Sequence, residues 1–181
     1  MEAFYGFVRR LADGFGNAGV DYAFTGALAV SLYGFPRTTA DVDVVVGAVS
    51  GVDVKRKVAL ALRHAGLEVD ERKLDSALTS GYRIASFRDK VSPFTVDVIF
   101  LDGALRKRAG TIDGVSAFFQ EPEDLVLAKL RMIKATVPRE RAVKDEEDVK
   151  AVLTFSKVDL DAVKKQAKRD KTLAILEGLI K

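Results

Sequence analysis

Residues 24–46 read FTGALAVSLYGFPRTTADVDVVV, and their reading decides the fold. The stretch ends in DVDVVV (residues 41–46), β-branched and nearly all apolar after its first three residues, the strongest strand signal in the chain. Aspartate is a poor strand former, so Asp41 and Asp43 stand here against local preference, and such conflicts tend to mark function. Residues two apart on a strand leave the same face. At a rise of about 3.3 Å per residue their Cα atoms lie about 6–7 Å apart. The two carboxylates repel one another unless cations sit between them, and they can converge on a pair of divalent ions. Ahead of them, Thr25-Gly26-Ala27 forms a strand-to-helix junction, where a glycine lets backbone approach a ligand and free helix amides suit phosphate. A short helix expected over 27–32 is stopped by Gly34 and Pro36. Arg37, Thr38 and Thr39 then fill the loop entering the aspartate strand, with Arg37 read chiefly as positioning that loop.

Working outward, a helix is expected over 3–18, because Phe4, Phe7, Val8, Leu11 and Phe15 recur at helical spacing. Strands are expected over 20–24, 81–87 and 94–101, with an edge strand near 115–118 and a helix over 54–65. Residues 95–100 read TVDVIF, so Asp97 is a third carboxylate inside an apolar strand, where it needs a reason to exist. Taken singly, Asp41 could cap a strand entrance and Asp97 could pair with an arginine; taken together, the trio points to a site. From Pro122 the pattern turns helical, over 122–136, 140–154, 159–168 and 171–179. The expected fold is α+β: a small mixed sheet flanked by helices over 1–120, and a helical subdomain over 121–181 packed on it.

Within that helical part, Lys129 has Leu125, Val126, Met132 and Ile133 at contact spacing, so its ammonium runs along an apolar face and needs an anion. Asp145, on a stripe with Ala142, Val149 and Val152, is one candidate, as an ion pair across two packed helices. Nucleotide phosphates, with Asp145 orienting the lysine, are the other.

The 181 residues hold 48% hydrophobic and 30% charged side chains, a globular profile. There is no cysteine and one histidine, His64, which excludes disulfides, thiolate zinc sites and a two-histidine metal site. No apolar run reaches about 18 residues and the N-terminus does not read as a secretory signal, so a cytoplasmic protein without membrane association is expected. The net charge of +3 is uneven: residues 103–144 carry 9 basic and 5 acidic side chains, against 12 and 13 over 1–102. That mildly basic middle, with the run Arg106-Lys107-Arg108, is either an ordinary solvated surface or a contact for phosphate.

The order Gly26, Ala-rich helix, Arg37-Thr38-Thr39, Asp41-x-Asp43 and a later strand aspartate resembles the nucleotidyltransferase superfamily that includes DNA polymerase β. It looks closest to the AbiEii-type, minimal nucleotidyltransferases of toxin–antitoxin systems. EDLVLAKL (residues 123–130) and the KDEED run at 144–148 extend the resemblance into the helical half. Ala27 departs from the pattern, which usually has serine or glycine there; Thr25 is the nearby hydroxyl. The resemblance implies Mg2+ or Mn2+ held by Asp41, Asp43 and Asp97, and an NTP contacted by Thr25, Gly26, Ala27, Arg37, Thr39, Lys129 and Asp145. It implies transfer of a nucleoside monophosphate to a hydroxyl with release of pyrophosphate. The acceptor is left open between a tRNA or other RNA 3′ end, a partner protein and a small molecule, as is the oligomeric state. Two other readings stand beside it: a catalytically inactive nucleotide- or partner-binding module of a toxin–antitoxin pair, and an RNA-binding domain using the basic middle segment.

Overall fold

The apolar stripe at positions 4, 7, 8, 11 and 15 folds as helix α1 (Glu2–Asn17), with Phe7, Val8, Leu11 and Phe15 fully buried. The computed structural model describes residues 2–36, 39–49 and 53–181, with Glu2 by its backbone alone. It forms two units, Met1–Leu28 with Thr38–Gln120, and Ala29–Arg37 with Glu121–Lys181.

The first unit holds a six-stranded mixed sheet. Its strands are β1 (Tyr22–Phe24), β2 (Asp41–Ala48), β3 (Ile84–Arg88), β4 (Thr95–Asp102), β5 (Lys107–Ile112) and β6 (Val115–Gln120), in the spatial order β3-β4-β2-β1-β6-β5. The pairs β2·β4 and β1·β6 are parallel and the rest antiparallel. Alternation is plain in the central strands. Val42, Val44 and Val46 of β2 and Val96, Val98 and Phe100 of β4 are buried, while the aspartates between them are half-buried or exposed. Helices α1, α3 (Val54–His64) and α4 (Glu71–Thr79) bury their apolar stripes in this unit, including Val58, Leu62, Leu74 and Ala77. α1 and α3 cross so closely that a Cβ on Gly14 would lie 2.5 Å from the Ala61 carbonyl oxygen. Phe94 packs on Phe4 and Phe7, and Tyr22 on Phe15, so aromatic rings tie α1 to the strands.

The segment near 115–118 is not an edge strand. It is β6, an inner strand between β1 and β5. β5 takes the edge instead, joined to β6 by the Asp113-Gly114 turn with both residues at positive φ, the geometry of a tight hairpin. Its sequence, KRAGTI, is mostly exposed and lacks an apolar alternation, which is why the run from Arg106 reads as a solvated face. α4 was equally hidden, because only Leu74 and Ala77 are buried along nine residues; the Asp70 side chain caps it by accepting from the Arg72 amide.

The second unit contains α5 (Pro122–Ala135), a 3-10 turn (Arg139–Ala142), α6 (Val143–Phe155), α7 (Leu160–Arg169) and α8 (Leu173–Leu179). Leu125, Val126, Leu130, Ile133, Val149, Val152, Val163 and Leu176 form its core. α2 (Gly26–Leu32) is the short helix expected after the Gly26 junction. Among the described residues no helix is long and apolar enough to cross a membrane.

Candidate active site

The parallel pairing of β2 with β4 is in the register Asp41↔Thr95 and Asp43↔Asp97, and β3 continues it as Arg88↔Thr95 and Ser86↔Asp97. Paired residues on neighbouring strands share a face. One face of this three-strand ribbon is therefore a grid: Arg88, Thr95 and Asp41 in one row, Ser86, Asp97 and Asp43 in the next, Ile84, Ile99 and Val45 in the third. Strands about 4.8 Å apart bring Asp43 and Asp97 side by side, with Asp41 one pleat along. The structure thus places the three carboxylates named from the sequence on one face of the sheet.

Hydroxyls hold two of them. Ser86 Oγ donates to Asp97 Oδ1 at 2.6 Å, and Thr95 Oγ1 donates to Asp41 Oδ1. Neither hydroxyl stands out in the sequence; Ser86 lies in β3, and only the register reveals it as the neighbour of Asp97. Gly26 has φ +57°, and a Cβ there would fall 2.0 Å from Asp43 Oδ2. The glycine is therefore required twice, by its left-handed backbone and by the carboxylate lying against it. The Thr25 amide donates to the Asp43 carbonyl at 2.9 Å, which ties the junction to the aspartate strand.

The remaining positions fall out differently. The buried Thr25 hydroxyl donates to Gln120 Oε1 at 2.5 Å, a strut between β1 and β6. Ala27 is buried in α2. Thr39 Oγ1 accepts from the Asp41 amide at 3.2 Å and donates to the Asp41 carbonyl at 2.9 Å, closing the turn at the strand entrance. Arg37, with Thr38, lies outside the described residues.

In the helical unit, Lys129 Nζ donates to Asp145 Oδ1 at 2.7 Å and to Asp148 Oδ2 at 2.8 Å. Lys129 is 7% exposed and Asp148 1%. Burial alone would lower the lysine pKa, but the hydrogen bonds it donates to Asp145 and Asp148, with their negative charges, outweigh it and lift the group above its ordinary 10.5. The ion pair weighed from the sequence thus forms, and it gains a second carboxylate. Asp148 was legible one turn after Asp145, at i+3 on the same helix face.

The donor set of the strand face is three carboxylates with flanking hydroxyls, all hard oxygens, which suits Mg2+ or Mn2+ rather than a soft or imidazole-loving metal. The Asp43 carboxylate lies against Gly26, in the space a Cβ would fill. Among the described residues no three His, Cys, Asp or Glu side chains are already drawn into a closed metal cluster. Asp41 and Asp97 are turned toward their hydroxyl partners. The residues fit such ions by donor type, shared face and register.

No sequence-family model matches the chain, and no curated protein resembles it in sequence. Solved structures do resemble it in fold. The antibiotic-resistance factor ANT(2'')-Ia in solution gives a TM-score of 0.67 at 11% identity, over 98% of each chain. Its crystal structure in complex with adenylyl-2''-tobramycin gives 0.64 at 11% identity, over 91% of this chain and 95% of that one. An antigenic nucleotidyltransferase-like protein from Paracoccidioides brasiliensis gives 0.51 at 16% identity, over 95% and 93%. At these identities the likeness is one of fold: this chain has the fold of nucleotidyltransferases.

Proposed function

We propose that the protein is a metal-dependent nucleotidyltransferase that moves a nucleoside monophosphate from an NTP to an acceptor hydroxyl and releases pyrophosphate. The observation that carries this reading is the grid on β2 and β4: Asp43 and Asp97 in lateral register, Asp41 on the same face, and Gly26 against Asp43. Three like charges gathered on a half-open face of an otherwise apolar strand pair repel one another, and a bound cation would relieve that repulsion. The nucleotidyltransferase fold supports the same assignment, and so does the adenylyl-2''-tobramycin held by a protein of that fold.

Asp41, Asp43 and Asp97 would hold Mg2+ or Mn2+. When bound, such ions supply charge neutralisation at the phosphoryl oxygens and lower the pKa of an acceptor hydroxyl. Asp97 then takes the acceptor proton, and Ser86 fixes the carboxylate orientation that this transfer needs. The Gly26 junction and the Arg37-Thr38-Thr39 loop would flank the triphosphate, with Thr25 and Ala27 lining the junction. Lys129, engaged by Asp145 and Asp148, would hold the helical unit together. The resemblance to AbiEii-type enzymes makes a cytoplasmic toxin–antitoxin setting the finer reading, checked by growth arrest on expression and its relief by a partner.

The test is transfer of label from each α-labelled NTP, with Mg2+ or Mn2+, into RNA, protein or small-molecule acceptors. Asp43→Asn should abolish transfer while the protein stays folded by circular dichroism; retained transfer would falsify the assignment. Ala27, in place of a phosphate-gripping hydroxyl, favours a second reading, a nucleotide-binding module without turnover. Metal-dependent NTP binding with no label in any acceptor would favour it.

A further inference from the structure

The sheet has two edge strands, β3 and β5, and the chain treats them differently. At the β3 edge, α4 packs alongside the strand. Lys73 Nζ donates to the Ser86 carbonyl at 3.2 Å, and the Glu68 amide donates to the Arg88 carbonyl at 3.1 Å. Leu67 bridges to Asp89 just beyond the strand end. That edge is sealed from within. At the β5 edge, Arg108, Ala109 and Thr111 are exposed. Among the described residues, the backbone of Lys107, Ala109 and Thr111 takes no hydrogen bond from outside the hairpin. An edge left in this state offers its amides and carbonyls to another strand.

The hairpin decides which groups those are. Asp113-Gly114 is a two-residue turn, so Ile112 and Val115, which flank it, form the hydrogen-bonded pair that closes it. Hydrogen-bonded and non-hydrogen-bonded pairs then alternate along an antiparallel ladder. Gly110 and Arg108 therefore bond inward to β6, while the N–H and C=O groups of Thr111, Ala109 and Lys107 point to the open side. Cations often guard an edge, but Lys107 is drawn off this one. Its ammonium is held by Asp21 at 2.5 Å and lies 4.5 Å from the centre of the Phe118 ring.

We infer that a second copy of this chain pairs on that edge, β5 against β5, antiparallel about a two-fold axis at Ala109. In this register Ala109 faces the partner's Ala109, Lys107 faces the partner's Thr111, and Arg108 faces the partner's Gly110. No cation stands opposite a cation, and the outward backbone groups of one strand meet those of the other. Centring the axis on Arg108 would set it against the partner's Arg108, a destabilising like-charge pair. Centring it on Gly110 would bring Lys107 against the turn and shorten the overlap. A parallel pairing would stack the cationic ends, whereas the two-fold lays each of them beside the neutral Thr111-Ile112 end of the other copy. The edge is thus complementary to itself in one register, and that singles out a second copy as its occupant. The two sheets become one continuous sheet across the axis. This pairing goes beyond the transferase reading and does not depend on it.

Sedimentation velocity across about 1–100 µM brackets a micromolar Kd, and the wild type should shift toward dimer with concentration. Ala109→Pro removes the amide on the axis and leaves the bonds to β6 in place, so the dimer Kd should rise about tenfold or more. Ala109→Lys and Ala109→Glu each set like charges face to face on the axis; each should be monomeric alone, and the two mixed should pair. Ala109 is exposed, and circular dichroism checks the fold. If Ala109→Pro fails to fold, the charged pair carries the test. The chain has no cysteine, so Ala109→Cys supplies a single thiol. Facing Cα atoms in a hydrogen-bonded antiparallel pair lie about 5.5 Å apart, within disulfide reach. Two copies of Thr111→Cys would hold their thiols about 13 Å apart along the strands. Oxidation should therefore link Ala109→Cys about tenfold faster than Thr111→Cys. A wild type that stays monomeric at the highest concentration overturns the inference. So does a dimer left intact by Ala109→Pro and Ala109→Lys, a Lys/Glu mixture that stays monomeric, or equal cross-linking of the two cysteine proteins.

Discussion

The two units treat their aspartates in opposite ways. In the helical unit, Asp145 and Asp148 close on one buried ammonium and the group is satisfied from within. In the strand unit, Asp41, Asp43 and Asp97 share one face at half-burial or more exposure, and Asp41 and Asp97 receive neutral hydroxyl donors, with no cation paired to either among the described residues. A hydroxyl orients a carboxylate without cancelling its charge. The first cluster is consequently a weld, and the second is a set of oriented anions that gains from an incoming cation. The contrast predicts that substitutions in the weld act on stability, and substitutions on the strand face act on chemistry.

The largest expected effect tests the weld. Lys129→Met leaves two carboxylates buried without their cation, and removal of one partner from a buried ionic group costs about 3–5 kcal/mol. Denaturant unfolding should show a loss of that size. Asp43→Asn, on the half-open strand face, should move stability by less than about 1 kcal/mol and yet end transfer. A stable Lys129→Met protein would break the comparison. Its pH dependence sharpens it. The folded pKa of Lys129 lies above the ordinary 10.5, so its contribution is complete below that pH and is lost as pH rises through the folded value. Wild type should lose stability above about pH 10.5, and Lys129→Met should lack that component of the alkaline decline.

Next in size is Gly26→Ala. A left-handed backbone costs a residue with a Cβ about 1–2 kcal/mol, and the added atom must also displace the Asp43 carboxylate, 2.0 Å away. Transfer should fall to background, and metal-dependent NTP binding should weaken. A Gly26→Ala protein with full activity would separate the glycine from the site and reduce it to a turn residue.

Much of this contrast could be read before any coordinates. Asp41, Asp43 and Asp97 announced themselves because a charge in a β-branched run is a local inconsistency, and alternation alone placed the first two on one face. Lys129 was readable because its helical neighbours are apolar. The rest depended on long-range register, which periodicity within one strand does not encode. Ser86 and Thr95 are unremarkable hydroxyls until β3 and β2 pair with β4. β5 lacked an apolar alternation because it is an exposed edge, so the inner strand β6 was mistaken for one. α4 buries only two side chains, and the cover it gives the β3 edge was hidden along with it.

The smallest expected effect falls on Ser86, and it asks whether the hydroxyls of the strand face orient their carboxylates or merely fill space. Ser86→Ala removes the 2.6 Å bond to Asp97 from a solvent-exposed position, so stability should change by no more than about 1 kcal/mol. Asp97 would then be free to rotate between solvent-facing rotamers, and proton transfer requires a base within hydrogen-bond reach of the acceptor. The transfer rate should fall about tenfold, with the NTP KM unchanged. Ser86→Thr restores a hydroxyl on a β-branched frame that suits an edge strand, and should recover most of the rate. A purely structural serine would give the opposite signature, with stability and activity lost together and Ser86→Thr no better than Ser86→Ala. If both variants match wild type, Asp97 holds its orientation without help. The distinction between a welded and an oriented carboxylate would then rest on Thr95 and Asp41 alone.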